Sequence, residues 1–140
     1  MSLTNVRSYF RTRLDSLGYN EWTDGFEFEE IPETVLDRTY HLTVGTLSLN
    51  NANHTVNDIN YPMTVRLYLK GFRDPATAID ESISEGETII CDLTKVTNAN
   101  AVGVKDVQFV SLEPTPKDET NDNIVLLVMS FNARVVLDRR

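Results

Sequence analysis

The sequence predicts an α+β domain: a four-stranded, mostly antiparallel sheet with two main helices packed on it, in the order α-β-β-α-β-β. Three observations carry this. From Met63 the apolar residues alternate (Met63, Val65, Leu67, Leu69) with Thr64, Arg66, Tyr68 and Lys70 between them, the period of a strand with one buried face. After Asp74-Pro75 the period changes, and Ala76, Ile79, Ile83, Ile90 and Leu93 recur at helical spacing. Asn123–Leu137 is a second long alternating run, apolar on both faces at its start and therefore covered on both there. A length of 140 residues suits one domain, residues 1–140, around one core.

The first element is a helix over Thr4–Leu17. Thr4 can cap it, Val6, Phe10, Leu14 and Leu17 form one apolar stripe, and Gly18 stands where a C′ residue belongs. Arg7, Arg11 and Arg13 make this helix basic. Glu21–Asp37 is its opposite: Glu21, Asp24, Glu27, Glu29, Glu30, Glu33 and Asp37 occur without any Lys or Arg. Trp22, Phe26, Phe28 and Ile31 alternate with those acids, so this stretch reads as extended or looped but anchored. Tyr40, Leu42 and Val44 alternate with His41 and Thr43 as the first strand, whose end could continue through Leu47 and Leu49.

Asn50–Asn60, with Asn50, Asn51, Asn53, Asn57, Asp58 and Asn60, reads as a long polar loop, because Asn side chains compete for backbone groups. The second strand, Tyr61–Phe72, enters the second helix, Pro75–Leu93, through Asp74 as N-cap and Pro75 in the first turn. Gly86 marks the place where that helix would break. Thr97–Gly103 reads as a loop. Val104–Leu112 reads as a strand, with Val107 and Phe109 on one face and Val110 and Leu112 on the other. Glu113–Asn123, polar and carrying two prolines, reads as a second long loop.

Composition narrows the function classes. A net charge of −8 argues against broad nucleic-acid binding, which needs a basic surface, and favours basic partners. No apolar run is long enough for a membrane-spanning helix, and the N-terminus reads as helix rather than as a signal peptide. The single cysteine, Cys91, rules out an intrachain disulfide, which fits a cytosolic setting.

Motifs that carry chemistry are missing: there is no glycine-rich phosphate loop, GxSxG, HExxH or CxxC. His41 lies mid-strand and reads as structural, since a metal site needs three or four convergent ligands. His54 with Asp58 makes at best a casual pair. Cys91 beside Ile90 reads as a buried structural thiol, and Asp80, Glu81, Glu85 and Glu87 as a solvated helix face. Tyr61, Tyr68 and Phe72 with Arg66 and Lys70 have the makings of a base-stacking platform, but two basic residues in an acidic chain are too few for one. No catalytic, cofactor-binding or metal-binding residue follows, and no metal or cofactor is expected.

The layout resembles a known family. The helix Val6–Leu17, the phrase Ile31-Pro32-Glu33…Leu36-Asp37-Arg38-Thr39-Tyr40-His41-Leu42, the long strand Met63–Phe72 entering a helix through Asp74-Pro75, and two closing strands are similar to the tail terminator (tail completion) proteins of long-tailed bacteriophages. The resemblance covers most of the chain as a layout, and none of its motifs is strict. It implies a non-enzymatic virion protein, assembled in the host bacterial cytoplasm and located at the neck of the tail. Such a protein forms a ring, a hexamer by resemblance, that stops polymerisation of the tail tube protein and meets the head connector protein. The basic first helix and the acidic segment after it would suit head-to-tail contacts between copies. On that view the assembly residues are Arg7, Arg11, Arg13, Glu29 and Glu30, with Asn51, Asn53, His54, Asn57, Asp118 and Glu119 from the two polar loops. Competing readings are a head-completion (connector) or tail tube subunit and, from a different class, a small ligand-binding α+β domain.

Overall fold

A computed structural model of the protein describes residues 3–22, 38–52, 56–72, 75–117 and 123–138. Along the chain lie α1 (Thr4–Ser16), β1 (Asn20–Glu21), β2 (Thr39–Val44), β3 (Ser48–Ala52), β4 (Val56–Phe72), α2 (Pro75–Leu93), α3 (Val96–Ala101), β5 (Asp106–Lys117) and β6 (Asn123–Asp138). The expected four-stranded antiparallel sheet with two helices is therefore corrected. Among the described residues the sheet has six strands, ordered β1-β2-β4-β6-β5 with β3 also paired to β4, and there are three helices. The sheet is mixed, because β1 joins β2 in parallel while the other pairings are antiparallel.

Much of the difference comes from polar strands. Asn50–Asn60, expected as a loop, belongs to the β3–β4 hairpin, with Ser48 opposite Asn60 and Ala52 opposite Asn57. Glu113–Lys117, expected as part of a loop, continues β5 opposite β6, from Glu113↔Val128 to Lys117↔Ile124. A ladder of backbone hydrogen bonds outweighs the turn preference of these side chains once a long partner strand is available. Val96–Ala101, also expected as loop, is the short helix α3.

The central ladder is β4 with β6, running from Val56↔Asp138 to Phe72↔Asn123. Its helix side is the core: Tyr61, Met63, Val65, Leu67 and Leu69 of β4 and Val125, Leu127, Met129, Phe131, Ala133 and Val135 of β6 are all buried. Tyr40 and Leu42 of β2 join them, as their alternation predicts. In β5 a bulge between Phe109 and Ser111 makes Val110 the extra residue. The bulge resets the alternation, so Phe109 faces Phe131 and Leu112 faces Met129 on the same side of the sheet, rather than on opposite sides as strict alternation predicts.

Helix α1 packs as its pattern predicts, with Val6, Tyr9, Phe10 and Leu14 buried. The residue before its first turn is Leu3, with no side-chain capping bond, so Thr4 is not the cap. Its end is a Schellman motif: the Gly18 N–H donates to the Asp15 carbonyl and the Tyr19 N–H to the Leu14 carbonyl, both at 3.1 Å, with Gly18 at φ 95°. Helix α3 ends in the same way. There the Gly103 N–H donates to Asn100 and the Val104 N–H to Ala99, with Gly103 at φ 85°. In each case the residue after the glycine, Tyr19 or Val104, is turned into the core.

Helix α2 is rotated from its expected setting. Its buried line is Ala78, Ser82, Gly86, Ile89 and Leu93, while Ile79, Ile83 and Ile90 are only half-buried along its flank. Gly86 does not break the helix. It lets the helix approach the sheet closely, since a Cβ there would lie 2.6 Å from Cδ1 of Leu112. The rotation also turns Cys91 outward, so the expected buried thiol is exposed. Asp74, expected as the N-cap, lies outside the described residues.

Candidate assembly interface

Two of the three arginines on α1 are engaged within the chain. Arg11 forms a two-pronged ion pair with Glu21, directly at the start of the acidic segment. Arg13 donates to both carboxylate oxygens of Asp92 on α2, at 2.7 and 2.6 Å. Arg7 is exposed. The basic helix is thus in part a clamp: Arg13 ties α1 to α2, and Arg11 ties α1 to β1. Tyr9 reinforces the first tie by donating its hydroxyl to the Leu93 carbonyl at 2.7 Å. Burial, with the Asp92 charge beside it, pushes the Tyr9 phenol up to about 12. Tyr40, donating to Asp15 on α1 at 2.8 Å, is raised as well, by burial first and that hydrogen bond second.

The other expected interface residues are dispersed. Asn57 is half-buried in β4, and the Asn51 backbone pairs opposite Asp58. Glu29, Glu30, Asn53, His54, Asp118 and Glu119 lie outside the described residues. Tyr61 and Tyr68, once weighed as a stacking platform, are buried at 7% and 2% exposure and offer no ring face for a base to stack on.

The sheet face turned away from the helices has its own order, read from the registers. One row runs Thr43, Thr64, Ser130, Ser111 across four strands. The row Asn60, Arg134, Asp106 lies further along. Around it Arg134 donates to Asp58 at 2.9 Å and to Asp106 at 3.3 Å, with Lys105 at 3.5 Å from Asp58. Asn132 donates to Asn60 at 3.2 Å beside them. The Arg134 hydrogen bond holds the Asp58 carboxyl below the usual carboxylate range. One carboxylate oxygen of Asp58 and one of Asp106 have no partner among the described residues. Sequence reading missed this network, because its members come from three segments that only the β4–β6–β5 register brings together.

Concave features are few. A groove of about 320 Å³ lies between α1 and α3, lined by Asn5, Ser8, Tyr9, Thr12, Asn98 and Val102. Its polar groups are largely committed: Asn5 donates to the Val102 carbonyl and Asn98 to the Asp92 carbonyl. Among the described residues no three of His, Cys, Asp and Glu gather where they could hold a metal. No described helix is long and apolar enough to cross a membrane.

The large apolar side chains left in solvent fall mainly at the sheet edges. Leu47 and Leu49 are 37% and 58% exposed at β3, and Phe109 and Val110 are 43% and 62% exposed on β5. Val96 and Val102, on and just after α3, are also exposed. No protein-family model matches the chain, and no curated protein matches its sequence.

Proposed function

We propose that this chain is a structural virion protein, a tail terminator that forms a ring at the head-proximal end of a phage tail, stops addition of tail tube subunits and offers its other side for head joining. Its mechanism is occupancy: a tube end covered by the ring cannot accept another subunit. The observation that supports it is where the unsatisfied surface lies. The grooves and polar clusters of the described residues are committed internally, whereas the apolar surface left over sits on two separate sheet edges, where copies of a chain can meet head to tail. The layout shared with terminators, from α1 to the two closing strands, points the same way.

One observation favours a tail tube subunit instead: polar segments expected as loops are long hairpin strands, which extend the sheet. The two readings separate in a phage lacking the protein. A terminator's absence gives overlong tails, and tails restored with the protein carry one ring of it at the neck. A tube subunit's absence gives no tails, and the protein is then found along their whole length. Tails of normal length that fail to join heads would move the assignment to a connector.

A further inference from the structure

We propose that copies of this chain join by strand addition, with β3 of one copy pairing antiparallel to β5 of the next, so that the sheet runs on from copy to copy. The inference rests on the self-assembling reading above and names its contact surface. Among the described residues β5 pairs only with β6, and β3 pairs only with β4. Each therefore presents a row of backbone donors and acceptors, and the chemistry that satisfies such a row is another strand.

Soluble proteins blunt such edges with charge or proline. Here the middle of β5, Val107-Gln108-Phe109-Val110-Ser111-Leu112, contains neither, and both are confined to its ends (Asp106, then Glu113, Pro114, Pro116 and Lys117). Leu47 and the β3 residues Ser48-Leu49-Asn50-Asn51-Ala52 are likewise free of charge and proline. Both edges hold the exposed apolar side chains noted above.

The two edges also match in level and direction. Ser48 lies in the row of Asn60, Arg134 and Asp106, so Leu49 and Val107 stand within a few residues of one another along the strands. Three successive antiparallel pairings, β3–β4, β4–β6 and β6–β5, leave β3 running opposite to β5. A neighbour in the same orientation thus brings its β3 to β5 antiparallel. Copies related by rotation about an axis along the strands keep that orientation, and such an arrangement can close into a ring. Each edge carries one bulge, between Leu49 and Asn51 and between Phe109 and Ser111, which keeps the shared ladder short.

The test places thiols on both edges of the whole chain. In a Cys91→Ser background, Leu49→Cys and Val110→Cys are introduced singly and together and treated with a short bismaleimide, both in assembled tails and in concentrated purified protein. The double variant is expected to give a ladder of covalent multimers, and each single variant only monomer. A ladder in purified protein that is absent from tails would keep the edge contact and sink the terminator reading. A neck ring that gives no ladder would keep that reading and sink the edge contact. Dimers from Val110→Cys alone would show a two-fold β5–β5 contact and overturn the proposal, as would no multimer in either sample. As a second variant, Val110→Lys should lower assembly at least tenfold while the monomer's circular dichroism is unchanged; unimpaired assembly would count against the proposal.

Discussion

Helices α1 and α2 attach to the molecule in opposite ways. Helix α1 inserts large side chains: Val6, Tyr9, Phe10 and Leu14 are all buried, and Phe10 meets Phe131 edge to face at 5.5 Å between ring centres. Helix α2 comes in on small ones, Ala78, Ser82 and Gly86, and puts a large residue under cover only at Ile89 and Leu93. The first arrangement holds a helix by the volume it buries, the second by how near its backbone can come to the sheet. The two should therefore fail differently, α1 when volume is removed and the small-residue half of α2 when volume is added.

The largest expected effect is on the α1 side. Phe10→Ala should cost about 3–5 kcal/mol in chemical denaturation, from lost burial and an unfilled cavity. On α2, Ile89→Ala should cost about 2–5 kcal/mol, whereas Ile83→Ala, removing a half-buried side chain, should cost only about 1 kcal/mol. Equal losses at the two isoleucines would mean that α2 is not rotated as described. Gly86→Val adds volume where there is no room and should cost about 1–3 kcal/mol. Gly86→Ala should stay within about 1 kcal/mol of neutral, because the helix gain offsets the displacement of the Leu112 tip.

The tie between the two helices is weaker. Arg13→Ala should lower stability by about 1 kcal/mol, less at high salt, since the Arg13–Asp92 pair is partly solvated. The smallest effect at neutral pH is at Tyr9. Its folded value of about 12 lies above the ordinary 10.0, so its contribution is complete below pH 10 and is lost as the pH rises through 12. Alkaline unfolding curves of the protein and of Tyr9→Phe should show the variant with a shallower loss across that window. Parallel curves would mean that the phenol is not responsible.

The same contrast explains what could be read in advance. The α1 stripe was legible because its large apolar residues also point inward; only Tyr9 was passed over, and Leu17 is partly buried. In α2 the period was legible but the phase was not. Hydropathy ranks Ile79, Ile83 and Ile90 above Ala78, Ser82 and Gly86, yet close approach selects the small residues. The buried alternation of β4 and β6 was legible for the reason α1 was. β3, the early part of β4 and the far end of β5 were not, because Asn-rich and proline-containing strands carry turn signals locally and are held by partners distant in sequence. Of the candidate interface, Arg11 and Arg13 could be picked out as charges, but their partner Asp92 comes from another element, and the edge residues Leu49, Phe109 and Val110 look like ordinary strand residues until the strand order is known.

The strand order also has a kinetic consequence. β6 lies in the interior of the sheet, between β4 and β5, yet it is the last strand in the chain. The longest ladder, β4 with β6, therefore cannot close until nearly the whole polypeptide has been made. Until then β4 can pair only with β2 and β3, and the apolar side of its later half waits for a partner. Pairings this distant in sequence form late and slowly, so the newly made chain passes through a stage with an open central edge. Crowded expression should aggregate it at that stage, and slower synthesis at lower temperature should raise the soluble yield.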